Sequence, residues 1–380
     1  MNFEKKGISS VDKYAYAYLI FAICIAAYVG SRMPSLWSIN YYIPSFFEGF
    51  YRRGLLGTLL YPLGSLRFSY TLISSIQIGV LFAILLCVLK YTYQAKIQQK
   101  IMLILFFLAP TGGYLFHIIG YSDQLLYLLL IISLVFIRFQ WVGLCLMVAS
   151  LFIHEAALFT IIPIYCVSLL LNKMSVKRMV IDVGVIMLVF LYLTLFLQTV
   201  PVPKIESFIN KMVQMIGPGT RSEYFFTFHN QYTNQAISNT FYNLQNEIAP
   251  PPHGNFIYLY FEIVLVVIYA TWVARLFVDP RSGRAYRWFC YMAAWCACLT
   301  PLLLVFFGID ADRWVFLAYV SAVFMFCMSP NTPSNPAFLS MVFVFSLFLA
   351  HGHFWYFDGF SPRGLELLQL KSTWQAWMLK

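Results

Sequence analysis

The sequence predicts an all-α protein, a polytopic transmembrane helical bundle of about eleven spans, a full crossing needing roughly 20 mostly apolar residues. Three observations carry that prediction. Charged residues make up 11% of the chain and hydrophobic residues 61%, against roughly 25% charged residues in a soluble chain. The apolar residues gather in long runs, and mean hydropathy is +0.74. The runs do not alternate apolar and polar, which excludes an outer-membrane barrel, and a disordered chain would have the opposite bias.

The first span, 14–31, is too long for a signal peptide and runs into Arg32 without an A-x-A-like cleavage site, so it reads as an anchor. Residues 32–69 form a first outer segment rich in aromatics, Gly and Pro, expected to hold amphipathic or re-entrant helices. Spans at 70–90 and 101–120 flank the polar linker Tyr91–Lys100. Shorter spans follow at 124–138, 141–154 and 155–171, then a longer one at 179–199. Residues 201–255 form a long polar outer loop holding Pro250, Pro251 and Pro252. The last spans are 256–275, 288–307, 313–329 and 337–352. No internal repeat divides the chain, so 1–380 reads as a single transmembrane domain.

Loop charge sets the orientation. With the N-terminus inside, 14 of the 25 basic residues and four of the 15 acidic ones fall on the inner side, leaving 11 of each on the outer side. The whole net charge of +10 then faces the cytoplasm. Anionic headgroups account for it, and no nucleic-acid partner is needed. All eight cysteines lie inside predicted spans and read as small packing residues; Cys296 and Cys298 lack the second pair a metal site needs.

Polar clusters mark the outer turns. They are Glu48–Gly54 with Arg52 and Arg53, Tyr121–Gln124 with Asp123, His154-Glu155, Gly308–Trp314 with Asp310, Asp312 and Arg313, and His351-Gly352-His353 with Asp358 beyond. The inner turns show nothing comparable. A single cluster has ordinary explanations as a solvated turn, a helix-dipole charge or an interfacial aromatic. Five on one face are harder to explain so, because ionisable groups near a membrane core cost roughly 2.5–3.5 kcal/mol each on insertion scales. Arginine offers a planar fork matched to phosphate oxygens, and a nearby carboxylate can take a proton from an alcohol. Together these groups suit transfer from a phosphate-linked donor to a hydroxyl. Glu48, Asp310 and Asp312 are the expected catalytic carboxylates; Arg52, Arg53, Arg313, Asp123, His154, Glu155, His351 and His353 are the expected substrate- or phosphate-binding residues.

Other chemistries lack their parts. His154-Glu155-Ala156-Ala157-Leu158 is not H-E-x-x-H, and there is no Walker A, Rossmann or G-x-S-x-G pattern. Nothing in the sequence points to ATP or a dinucleotide, while Asp310 and Asp312 have the oxygen ligands for a divalent cation.

In architecture and in these outer motifs the chain resembles GT-C-type glycosyltransferases that use lipid-linked sugars, and the O-antigen and capsule polymerases of bacterial inner membranes. The resemblance implies that Glu48, in the first outer loop, is the base and that Arg52, Arg53 and Arg313 handle the lipid pyrophosphate. It implies an undecaprenyl-linked saccharide donor and acceptor, membrane lipids and other polysaccharide-assembly proteins as partners, in a bacterial inner membrane with the C-terminus periplasmic. The chain departs from the polymerase pattern in that 201–255 carries Lys204, Lys211 and Arg221 without a spaced Arg–Gly repeat, and from many GT-C enzymes in lacking a soluble C-terminal domain. Two other readings stand beside it, a flippase for lipid-linked sugars and a membrane acyltransferase in which His154 or His351 activates the acceptor.

Overall fold

The structure, a computed structural model, describes residues 10–51, 53–172, 174–196, 200–216, 256–306 and 311–331. Among them every regular element is a helix. In chain order the main ones are α1 (Ser10–Gly30), α2 (Tyr70–Gln94), α3 (Ile97–Leu108), α4 (Pro110–His117), α5 (Ser122–Val135) and α6 (Gln140–Ile153). They continue with α7 (Ile162–Leu171), α8 (Val176–Phe196), α9 (Val202–Ile216), α10 (Phe256–Arg275), α11 (Arg284–Leu299) and α12 (Ala311–Met328).

Four stretches among the described residues are long and apolar enough to cross a membrane: Asp12–Gly30, Tyr70–Tyr93, Lys177–Phe196 and Arg284–Val305. A fifth arises if α3 and α4 form one broken span, bent by 64°. Pro110 opens α4 at that bend, where its missing N–H costs the helix nothing. The all-helical expectation therefore stands, while the expected count of eleven is not reached among the described residues. α5 and α6 have 14 residues each, a rise of about 21 Å against about 30 Å of hydrocarbon. The span expected at 155–171 is broken between a short helix, Ala157–Thr160, and α7, whose Pro163 stands in its first turn. The span expected at 337–352 lies outside the described residues.

Ion pairs and carbonyl bonds tie the helix ends together. Lys100 Nζ meets Asp12 Oδ1 at 2.9 Å, joining the first turns of α1 and α3. At the far end of α1, a Cβ on Gly30 would lie 1.8 Å from the Gly113 carbonyl oxygen in α4, so only glycine permits this crossing. α1 thus runs alongside the α3–α4 pair in the same direction. α2 returns the other way: Gln77 donates to the Ser38 and Gly120 carbonyls near its start, and Tyr91 near its end donates to the Cys327 carbonyl. Gln99 donates to that same carbonyl at 2.8 Å.

α12 is the central element. Its residues from Arg313 to Val323 are all buried, as an all-round apolar helix must be in a bundle interior. Tyr319 packs against Phe106 of α3 and Tyr269 of α10, with ring centroids 5.9 and 5.5 Å apart. α8 lies at the periphery and leaves Leu188, Tyr192, Leu195 and Phe196 exposed. α9 is amphipathic: Ile205, Phe208 and Met212 are buried on one face, and Glu206, Asn210 and Gln214 are exposed on the other. Part of the expected outer loop at 201–255 is therefore a helix, because its apolar residues recur at helical spacing.

Candidate functional site

The segment 44–58 presents Glu48 and Arg53 and is closed on itself by short polar contacts. Thr58 Oγ1 accepts from the Phe46 amide at 2.8 Å and donates to the Gly54 carbonyl at 2.7 Å. The Glu48 amide donates to the Ser45 carbonyl at 3.0 Å. Gly57 lies so close to Pro44 that a Cβ would meet its carbonyl oxygen at 2.0 Å. These contacts hold a segment without long helices in one conformation. Nearby, burial without a compensating charge pushes the Tyr42 phenol well above its ordinary value.

Glu48 Oε1 accepts from Arg67 Nη2 at 2.7 Å and lies 3.2 Å from Lys204 Nζ. Arg67 ends the turn Tyr61–Phe68, just before Ser69 caps α2. Its guanidinium carbon stands 4.7 Å from the Tyr61 ring centroid and 4.8 Å from that of Phe68. Lys204 comes from α9, where it lies over Phe208, and Phe208 packs on Phe68. The Glu48 and Arg67 side chains are 8% and 4% exposed. Glu48 Oε2 and Arg67 Nη1 are buried without a hydrogen-bond partner among the described residues. One negative and two positive charges leave this cluster with a surplus positive charge, an unused acceptor and an unused donor.

Arg53 sits apart from Glu48 and pairs with Glu155. Its Nη2 donates to Oε1 at 2.5 Å and its Nε to Oε2 at 3.2 Å, a two-point fork. Arg53 has φ 59°, the left-handed region, which costs a non-glycine residue about 1–3 kcal/mol. Its guanidinium carbon lies 5.4 Å from the Tyr41 ring centroid, and Tyr41 packs against His154 at 5.8 Å. The backbone turns sharply between α6 and the Ala157–Thr160 helix, which places His154 and Glu155 here. His154 Nδ1 accepts from the Ala156 amide at 3.0 Å. The neutral ring therefore carries its proton on Nε2, and the 3.8 Å approach of Nδ1 to Glu155 is not an ion pair.

Asp123 and Arg313 form a third couple. Arg313 Nε donates to Asp123 Oδ2 at 2.7 Å, with side chains 3% and 1% exposed. Each stands in the first turn of its helix, α12 and α5. The Arg313 guanidinium lies over the rings of Tyr121 and Trp314 at 4.9 and 4.8 Å. Asp123 also touches a small cavity of about 70 Å³ between α3, α5 and α12, lined by Phe106, Phe107, Tyr127 and Phe316.

The structure thus distributes the expected site residues over three couples. Glu48 and Arg53 share a segment and have different partners. Arg52, Asp310, His351 and His353 lie outside the described residues, as does the side chain of Asp312. Among the described residues no three His, Cys, Asp or Glu side chains approach closely enough to hold a metal ion.

Sequence reasoning missed Arg67 and gave Lys204 no partner. A single arginine just before a span reads as an interfacial anchor, and nothing local says that its fork turns back to a carboxylate 19 residues earlier. The aromatic residues around it, Tyr61 and Phe68, were the available signal. Compared with protein-family models, curated proteins and solved structures, the chain matches none.

Proposed function

We propose that the protein is a glycosyltransferase of the bacterial inner membrane, with polymerase activity, moving a sugar from an undecaprenyl-phosphate- or pyrophosphate-linked donor to a hydroxyl at the periplasmic face. The bundle sits with its N-terminus in the cytoplasm and its C-terminus outside, and the shorter helices contribute to about eleven crossings of a bilayer thinned or bridged by their flanking residues. Its partners are the lipid-linked saccharides, the surrounding lipids and other polysaccharide-assembly proteins.

One observation carries this reading. A buried carboxylate and a buried arginine stand in contact at Glu48 and Arg67, each with one polar atom unused, and Lys204 adds a positive charge. Buried polar atoms without partners are costly in a resting protein and are expected where a ligand completes them. A phosphate oxygen accepts from Arg67 Nη1, and an incoming hydroxyl donates to Glu48 Oε2. Glu48 takes the hydroxyl proton as the oxygen attacks the anomeric carbon, and the bond to the lipid phosphate breaks with its electrons passing to the phosphate. Arg67 and Lys204 stabilise the charge left there. No metal is needed for this balance.

The test is sugar transfer by the purified chain in proteoliposomes, supplied with undecaprenyl-phosphate and undecaprenyl-pyrophosphate sugars. Glu48→Gln should lower turnover about 10²–10⁴-fold. Glu48→Asp keeps the charge beside Arg67 but withdraws the oxygens, so it should also lose turnover while retaining the native melting temperature. Native turnover in both variants removes Glu48 as the base.

A flippase is the second reading, favoured by the 64° break between α3 and α4, since broken helices line transport sites. Movement of the lipid-linked sugar across the vesicle bilayer without its consumption would establish it instead.

A further inference from the structure

We propose that the outer turn 59–66, with Phe47 beside it, is the docking surface for the apolar chain of a polyprenyl phosphate lipid whose head is held at Arg67 and Lys204. The place comes from the structure; the identity of the lipid rests on the glycosyltransferase reading, in which it is the donor's carrier.

The chain here forms a short helix, Leu55–Leu60, followed by the turn Tyr61–Phe68. Even as one straight helix this stretch would rise only about 21 Å, against about 30 Å of hydrocarbon, and it kinks at Gly64, which has φ 58°. Among the described residues nothing stands within 4 Å of a Cβ added at Gly64, so the tip of the turn projects clear. The stretch is too short to cross the bilayer, yet Leu59, Tyr61, Leu63 and Leu66 are exposed on it. Phe47, also exposed, packs on Tyr61 with ring centroids 4.9 Å apart. A contiguous apolar surface of this kind marks a contact with lipid or protein.

The charge at its edge separates this surface from ordinary bilayer contact. Tyr61 touches Phe47 and also stands 4.7 Å from the guanidinium carbon of Arg67. The apolar surface therefore runs up to the Glu48–Arg67 pair, with its unused Arg67 Nη1 and, through Lys204, its surplus positive charge. Tyrosine rings favour the boundary between hydrocarbon and headgroups, which sets the pair at headgroup depth. A lipid lying along the turn brings its phosphate to Arg67 and its chain to Phe47, Leu63 and Leu66 in one placement. Its negative charge neutralises the surplus. A zwitterionic lipid carries its own cation and lacks that match, and free phosphate leaves the apolar surface uncovered.

Arg67 Nη1 is buried, so the head enters only when a side chain yields. Tyr61 is placed to do so, since its ring lies by the guanidinium and is itself exposed. The segment 44–58 is instead tied by the Thr58 and Gly57 contacts. The lipid thus arrives sideways from the bilayer, displacing the Tyr61 and Phe47 rings.

The experiment places the photoprobe p-benzoylphenylalanine at Leu63 or at Leu66 in the full chain. The nanodiscs contain phosphatidylcholine, phosphatidylglycerol and a small fraction of undecaprenyl phosphate. Irradiation followed by intact-protein mass measurement identifies the lipid captured. Undecaprenyl phosphate should be captured at about tenfold or more above its mole share, while the same probe at Leu188 on α8 should capture all lipids in mole proportion. With the probe at Leu63, enrichment should vanish in Arg67→Gln and fall several-fold in Arg67→Lys, where a point charge replaces the fork. With the probe at Leu66, enrichment should vanish in Leu63→Asp, which puts a charge on the apolar surface. Melting temperatures separate loss of binding from loss of fold, and Arg67→Lys carries that arm if Arg67→Gln does not fold. Four results overturn the docking surface: no lipid captured, capture in mole proportion, phosphatidylglycerol enriched as strongly as undecaprenyl phosphate, or a cross-link to a second copy of the chain instead. Enrichment retained in a folded Arg67 variant or in Leu63→Asp overturns it as well. Because this readout is binding without turnover, it can fail while Glu48 passes its transfer test, and the reverse.

Discussion

Arg53 shows how one residue can be both strained and retained. Its φ of 59° is free to glycine, whereas any side chain meets the neighbouring carbonyl. Replacing it by Gly or by Ala removes the same guanidinium, so the difference between those two variants isolates the backbone cost. Arg53→Gly should melt higher than Arg53→Ala by an amount equivalent to about 1 kcal/mol, measured by thermal unfolding in detergent; the opposite order would show that the left-handed turn is not the native one. The Asp123–Arg313 couple is a different case, since both side chains are buried. Removing one partner strands a charge, so Arg313→Met should destabilise by about 3–5 kcal/mol. Asp123→Leu combined with Arg313→Met should restore much of that, because the two buried charges of the couple are removed together. An additive double variant would rule out direct coupling of the pair.

At the scale of elements, the crossing of α1 and α4 depends on the contact between Gly30 and Gly113. A Cβ at Gly30 collides with backbone rather than with a movable side chain. Gly30→Val must push the helices apart and should cost about 1–3 kcal/mol or more. Gly184 in α8 is the control, since nothing stands within 4 Å of an added Cβ. Gly184→Ala should be neutral or stabilise by up to about 1 kcal/mol through helix propensity. Equal effects at the two positions, in melting temperature at matched detergent concentration, would contradict the close α1–α4 approach. α9 works through its apolar face: Phe208 on Phe68 carries Lys204 to Glu48, so the helix delivers a charge as well as covering the segment beneath it.

For the whole molecule, the charge division predicts the sides. Reporter fusions at Lys96 and Arg284 should give cytoplasmic signals, and a periplasmic signal at either position reverses the orientation. Composition showed that this chain is not a soluble fold, because 11% charge cannot clothe a soluble surface, and the long, non-alternating apolar runs made it helical. Turn residues were legible too, because Glu48, Arg53, Asp123, Glu155 and Arg313 interrupt apolar runs. Span number was less legible, because hydropathy sums over a window and does not register the bend at Pro110 or the turn at His154. Pairing was not legible at all. Arg53 meets Glu155 across 102 positions and Arg313 meets Asp123 across 190, and no local rule selects a partner at such separations. Proximity in sequence suggested Glu48 with Arg53, yet the segment 44–58 turns the two side chains to different partners. Sequence sets which groups must leave the hydrocarbon, since burying an unpaired charge is costly wherever it occurs. Only the packing of α9, α6 and α12 decides which opposite charge each one meets, because ion pairing acts over a few ångströms and those distances exist only once the helices have docked.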